Sequence, residues 1–465
     1  MRTHATAAVW WVRRDLRLAD NPALLAAVDE GPAVLPVFVL DPVLLRSAGL
    51  GRRAWLMAAL RALDADLRSG GGPGLSVLEG RPAEVLPRVA RQVEARTVHV
   101  SADFAPYGRR RDAQVHAALG DVDAELKATG SPYAVAPGTL RNGYDLPFEV
   151  FSPFHRAWLA HGVHGPAPAV AANQVTWLAA EDRLTPEPPD PALAEVAGEQ
   201  HARASWQAWL DRTSDGPADY KRLHNFPGDD ATSHLSPALR WGHLHPRTVL
   251  ADLAARPSDG AAALARQLAW RDFYADVLLH RPDAVTQPIK HEFRDLPVDD
   301  PVPGSVAAQR LAAWEQGRTG YPLVDAGMRQ MVAEGWMHNR LRLVTGSFLV
   351  KDLHLGWWHG ADVYMRHLRD GDVAQNQLNW QWVAGCGNDP APYYRIFNPV
   401  LQSEKFDADG SYIRRYVPEL ADVPLRYLHA PWTAPGGPPA GYPRPIVDHA
   451  AERKEALARY AELGR

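Results

Sequence analysis

Four short apolar runs punctuate the start of the chain: AAVWWV (7–12), AVLPVFVL (33–40), LSVLEG (75–80) and TVHVSAD (97–103). Side chains alternate between the two faces of a strand, so a run apolar at nearly every position fits a strand covered on both faces. Between these runs lie helical stretches. In NPALLAAV, Asn21 caps and Pro22 takes the first helical position, where a missing N–H costs nothing. RRAWLMAALRALDADLRS (52–69) repeats apolar residues at helical spacing. Strand and helix in alternation predict a doubly wound parallel α/β domain over residues 1–132. YAVAPGTL (133–140) is a candidate fifth strand. The chain has no G-x-G-x-x-G, so a standard dinucleotide fingerprint is excluded.

The β rhythm then stops. Residues 133–200 read as an interdomain linker, because GPAPAVAANQ and LTPEPPDPALAE concentrate Pro, Ala and Glu. Helical patterns dominate afterwards, and residues 201–465 are expected to form an all-helical second domain. That part holds 11 of the 16 tryptophans. TAPGGPPAGYP (433–443) reads as a surface loop ordered by its contacts, and a last helix is expected over 448–462.

A chain of 465 residues can bury more than one core. Its net charge of −4 is no global basic signature, so nucleic-acid binding would need a local patch. Cys386 is the single cysteine, which excludes an intrachain disulfide and a cysteine zinc cluster and fits a reducing cytoplasm. The N-terminus has no long apolar stretch before its charges, and no window approaches 18 uncharged apolar residues. A cytoplasmic protein with no membrane segment and no metal is therefore expected.

The segment DGDVAQNQLNWQWVAGCGND (370–389) sets a problem of geometry. Asp372 reads as a helix N-cap, with Gln375 completing a candidate capping box and Gly385 ending the helix. Residues two apart on a helix point roughly 200° away from each other. Trp380 and Trp382 therefore cannot share a face, whereas Asn376 and Trp380, four apart, can. One reading is a central helix buried all round. The other is a helix between two sites, with one indole facing each.

Three stretches carry a family resemblance. WWVRRDLRLADNPAL, GRTGYPLVDAGMRQMVAEGWMHNRLRLVTGSFLVKDL (317–353) and DGDVAQNQLNWQWVAGCGNDPAPYYRIFNPVLQSEKFD (370–407) resemble the photolyase/cryptochrome family, with the nearest match to class I cyclobutane pyrimidine dimer photolyases. The resemblance covers nearly the whole chain. It implies noncovalent FAD in the helical domain and light-driven electron transfer from reduced flavin to a flipped-out pyrimidine dimer in UV-damaged DNA. It implies no obligate protein partner, and a monomer is expected.

The resemblance also assigns roles. Asn376 matches an asparagine at the flavin N5 edge, where an amide can both donate and accept. Arg342 and Asp370 match a salt-bridged pair beside the flavin ring, and Asp372 joins the cofactor set. Trp380 matches the flavin-proximal member of an electron chain that continues to Trp357, and Trp382 matches a substrate-contacting indole. Tyr220, Thr232, Ser233, Leu235 and Ser236 fall on a phosphate-binding loop in DYKRLHNFPGDDATSHLSPALRWG. Taken alone, ATSHLSP is only a helix cap. In RQLAWRDFY, Trp270 matches a second indole wall for the dimer and Arg271 a flavin-phosphate or structural contact. Read without the family, that segment is an ordinary amphipathic helix. Asn339 and Arg340 match positions near dimer and flavin. Arg340, with Arg395 and Lys405, reads as a phosphate-binding rim, each otherwise a surface charge.

Three departures stand out. Gln267 stands where many dimer photolyases have glutamate, so a charge-assisted bond to the pyrimidine is lost while a neutral one is kept. Leu343 replaces a frequent methionine, and the absence of histidine at both Asn339 and Leu343 argues against (6-4) repair. RDLPVDDPVPG (294–304) lacks the outer tryptophan of the electron chain. This leaves open Trp358, a nearby tyrosine, or an early end to the chain. Dimer repair is the favoured reading, with a cryptochrome-like blue-light photoreceptor second and a light-independent flavoprotein third. PYGRRRD (106–112) lacks the Asn-Glu pair favoured for folate, so a second, antenna chromophore stays of unknown identity.

Overall fold

The computed structural model describes residues 7–31, 33–184, 196–388 and 394–463. The linker stretch 185–195 and residues 389–393 of the 370–407 motif lie outside them. The chain divides into two compact units. The first comprises Met1–Ala218 with Ser233–Pro282, and the second Asp219–Thr232 with Asp283–Arg465.

In the first unit, β1 (Ala7–Val12), β2 (Ala33–Leu40), β3 (Ser76–Glu79), β4 (Thr97–Val100) and β5 (Glu125–Ala128) pair in the order β3-β2-β1-β4-β5, all parallel. The alternation of β1 explains its unbroken apolar sequence. Ala8, Trp10 and Val12 enter a core with Trp55, Leu60 and Leu63, while Ala7, Val9 and Trp11 enter a second with Val85, Leu86 and Val115. The helix Pro22–Glu30 begins as its sequence predicts, with Asn21 accepting from the Leu24 N–H and Pro22 at the first turn. The helix Leu50–Ser69 covers one face of the sheet, and the helices Pro82–Gln92 and Pro106–Gly120 contribute to the other.

One strand expectation needs correction. Residues 133–140 form no strand; the fifth strand is Glu125–Ala128. The apolar content of 133–140 serves a loop instead. The buried Asp272 accepts hydrogen bonds from the Val135 N–H (2.8 Å) and Ala134 N–H (3.3 Å), and Asp276 accepts from Gly138 N–H (2.6 Å). Backbone donors given to carboxylates are unavailable for a sheet ladder. The expected linker region contains the helix Phe151–His161 and a two-residue strand, β6 (Thr176–Trp177), which pairs with β2.

The second unit is helical, built around a core of Trp314, Met328, Leu341, Phe348, Leu349, Trp357 and Trp380 among others. The loop 433–443 is tied down by Tyr442, whose hydroxyl donates to Asp325 at 2.7 Å. The last helix, His449–Glu462, is capped by Asp448. Among the described residues no helix is long and apolar enough to cross a membrane.

Candidate functional site

The helix Val373–Ala384 in the second unit starts and stops where its sequence predicts. Asp372 accepts from the N–H groups of Ala374 (3.0 Å) and Gln375 (3.3 Å), and Gly385 ends it at φ 90° in the left-handed region. Gln381 is fully buried and fastens the helix. Its side chain accepts from Ile289 N–H and donates to the carbonyls of Ala284 and Gln287. Seven of the twelve residues are buried, but Asn379 is exposed, so the helix is largely rather than wholly enclosed. The two indoles do diverge.

Trp380 is 3% exposed and packs edge-on against Tyr364 and Trp314. Its six-membered ring lies directly over Gly360 of the helix Trp357–His367, where an added Cβ would sit 2.1 Å from it. Asn376 addresses the same helix, donating from Nδ2 to the Ala361 carbonyl at 3.0 Å. Asn376 and Trp380 thus share a face, as their spacing requires. Trp382 is half-buried and lines a different pocket with Lys290, Lys351, Tyr394, Arg395 and Tyr460.

Beside Asn376's helix, Arg342 donates to Asp370 Oδ2 at 2.7 Å and to the Met337 carbonyl at 2.9 Å. The Asp370 side chain is almost wholly enclosed, and its Oδ1 has no hydrogen-bond partner within the protein. An enclosed carboxylate oxygen without a donor costs about 1–3 kcal/mol or more, so it marks a place where a ligand N–H is accommodated well. Trp357 is 5% exposed and meets Trp358 edge-on, with ring centroids 6.1 Å apart; Trp358 is 44% exposed.

The expected rim residues are partly gathered. Arg340 lies over the Phe406 ring at 4.2 Å and donates to Asn225 Oδ1 at 2.5 Å; Lys405 lies over the same ring at 5.1 Å. Burial lowers the pKa of Arg340. Asn339 and Arg395 are exposed, Leu343 and Thr232 are half-buried, and Tyr220 is buried with its ring stacked on His224. Burial raises the Tyr220 phenol to about 12.

The remaining residues belong to the first unit. Ser236 opens the helix Ser236–Trp241, with Leu235 flanking it and Ser233 half-buried. Pro237 follows at once, so one N–H of that helix start is missing. Arg271 donates to the carbonyls of Pro132 (2.7 Å) and Leu239 (3.2 Å), the structural alternative of its two expected uses. Gln267 is exposed and Trp270 half-buried.

Sequence reasoning missed several partners. Tyr364 and Trp314 bracket Trp380, and burial pushes the Tyr364 phenol well up, which keeps it protonated. Lys351 is buried beside Trp382's pocket, where desolvation lowers its pKa to about 7; burial raises the neighbouring Cys386 thiol to about 12. Trp314 and Tyr364 fall outside the quoted motifs, Lys351 and Cys386 fall inside them without a pattern that marks their burial, and Gly360, a helix-interior glycine, offered a sequence signal of close approach.

The chain matches two family models: "DNA photolyase" over residues 8–172 and "FAD binding domain of DNA photolyase" over residues 264–462. A deoxyribodipyrimidine photo-lyase of Streptomyces griseus is 42% identical across 96% of both chains. Among solved structures, a bacterial class III photolyase from Agrobacterium tumefaciens superposes with a TM-score of 0.89 at 34% identity, covering 100% of this chain and 99% of that one. A cryptochrome from Synechocystis sp. PCC6803 gives a TM-score of 0.87 at 27% identity, over 98% of this chain and 100% of the other.

Proposed function

The chain belongs to the DNA photolyase family, and from that premise we propose how its residues serve the light-dependent repair of cyclobutane pyrimidine dimers in DNA. It is a deoxyribodipyrimidine photolyase, a carbon–carbon lyase dependent on FAD. The observation that carries the residue assignment is the enclosed Asp370 carboxylate, paired with Arg342 and with its Oδ1 without a partner in the protein. Bound noncovalently and reduced, FAD supplies on illumination the electron that opens the dimer.

Arg342 places a cation that favours an anionic ring system, and Asp370 holds that cation in place while offering an acceptor to a ring N–H. Asn376 supplies an amide able to donate or accept. Tyr220, Thr232, Ser233, Leu235, Ser236 and Asp372 hold the rest of the cofactor, and Arg271 braces the backbone at Pro132 and Leu239. Trp382 and Trp270 stack on the extruded dimer, Gln267 hydrogen-bonds a pyrimidine edge, and Leu343 supplies apolar contact. Asn339, Arg340, Arg395 and Lys405 bind the DNA backbone and its bases. Trp380 and then Trp357 donate electrons from the protein, and the exposed Trp358 stands next to Trp357 as the outer member. The single cysteine fits a reducing cytoplasm.

The test is blue-light irradiation of a dimer-containing oligonucleotide with FAD-loaded protein. Intact pyrimidines should form in the light and not in the dark. Light-driven bleaching of the flavin with no dimer opened would overturn repair in favour of the photoreceptor reading.

A further inference from the structure

Behind Trp270 stands a column of stacked rings. Phe151 lies against the indole with centroids 3.6 Å apart and planes at 9°. His155 stacks on Phe151 at 5.3 Å and 22°, and Trp158 continues on His155 at 6.2 Å and 17°. Phe273 meets Trp270 edge-on at 5.6 Å, and the Arg266 guanidinium lies 4.9 Å from the centre of the Phe151 ring. Burial and the nearby Arg266 hold the His155 imidazole below its ordinary pKa, so a neutral ring occupies the stack.

The column is anchored to the helix that carries Trp270. The Trp158 indole N–H donates to Asp272 Oδ2 at 3.0 Å, and Asp272 lies two residues from Trp270 on the helix Asp259–His280. Asp272 is 1% exposed, and its carboxylate also holds the loop at Ala134 and Val135. The frame therefore closes on itself. Asp272 fixes Trp158, Trp158 fixes the helix Phe151–His161, and that helix lays Phe151 against Trp270.

An indole has two faces, and Phe151 covers one. We propose that Phe151 is the positioning residue that fixes the plane of Trp270 before substrate arrives and confines base stacking to the opposite face, with His155 and Trp158 as its backing. This rests on Trp270 being a wall for the extruded dimer. A preordered indole loses less rotamer freedom on binding, and that saving favours the lesion over undamaged, stacked DNA. Phe151 itself touches neither substrate nor cofactor in this scheme.

The experiment measures Kd for dimer-containing and for undamaged DNA with FAD-loaded wild type, Phe151→Leu, Phe151→Tyr, Trp270→Ala and the double variant Phe151→Leu/Trp270→Ala. Phe151→Leu should weaken lesion binding roughly two- to tenfold, the range for ordering one side chain. Binding to undamaged DNA and the flavin content should stay as they were, and Phe151→Tyr, which keeps the ring, should restore the affinity. In the Trp270→Ala background, Phe151→Leu should have no further effect. Unchanged lesion affinity in Phe151→Leu while Trp270→Ala is weakened overturns the positioning role alone. Additive losses in the double variant, or equal losses on both DNAs, overturn it as well. Unchanged affinity in Trp270→Ala removes the dimer-wall reading and this inference with it. If Phe151→Leu does not fold, Phe151→Met, close in volume and without a ring, carries the same comparison.

Discussion

Trp380 meets Tyr364 edge-on, with ring centroids 4.8 Å apart and planes at 64°, and its indole N–H is enclosed without a partner. An indole held this way by aromatic edges and left unbonded at nitrogen has little water near it to stabilise a charge. Trp357 and the exposed Trp358 meet edge-on with centroids 6.1 Å apart, and under the proposed electron route they would carry charge from Trp380 toward solvent.

Trp380→Phe is expected to abolish most light-driven bleaching of oxidised flavin in the presence of an external reductant. Dimer repair by enzyme reduced chemically beforehand should be retained, because in the proposed reading Trp382 and not Trp380 contacts the substrate. Trp358→Phe should slow bleaching less, since Trp357 remains. Normal bleaching in Trp380→Phe would send the electrons by another route.

Gly360→Ala tests the packing of the same indole. The new Cβ would sit 2.1 Å from Trp380 Cη2, a contact with a large, buried ring that cannot simply swing away. Overpacking of this kind costs about 1–3 kcal/mol. The melting temperature should fall, and bleaching should fall with it. Gly346→Ala is the control, because its nearest Trp380 atom would lie at 3.4 Å, an ordinary contact. Equal melting temperatures for the two variants would contradict the close approach at Gly360.

Lys351 gives a pH signature. Its ammonium donates to the Arg395 carbonyl and lies 4.3 Å from the centre of the Tyr394 ring, yet burial lowers its pKa from 10.5 to about 7. A lysine depressed in the folded state binds fewer protons there than when unfolded, so stability rises with pH between the two values. The contribution is complete above about 10.5, is lost as pH falls toward 7, and is level below that. Lys351→Met removes the titration, so it should gain on wild type between pH 10 and 7 by an amount on the order of a few kcal/mol. Denaturant unfolding of both proteins at several pH values checks this; a difference independent of pH across that range would refute it.

Salt tests the rim. Arg340 and Lys405 share the Phe406 ring, so their charges are placed together. Log affinity for DNA should fall linearly with log salt, and removing one phosphate contact by Lys405→Gln should reduce the slope by roughly 1. The net charge of −4 opposes non-specific attraction, so a flat salt dependence would eliminate the rim.

The sequence by itself determined whatever depends on neighbours a few residues away. The strands of the first hundred residues, the cap at Asn21, the helix bounded by Asp372 and Gly385, and the opposed Trp380 and Trp382 all follow from periodicity and capping, which are local in the chain. The family motifs added the Arg342–Asp370 pair, 28 residues apart, and the structure contains it. Only the tertiary structure decided the rest. Residues 133–140 have a strand's composition but lose that form because two aspartates about 138 residues away take their backbone donors. The stack of Phe151 on Trp270 depends on a bond between Trp158 and Asp272, 114 residues apart. The depressed lysine at 351 exists because burial withdraws it from water. Each of these is a contact whose partner is chosen by how the elements pack, and packing leaves no fixed spacing in a single sequence for a reader to find.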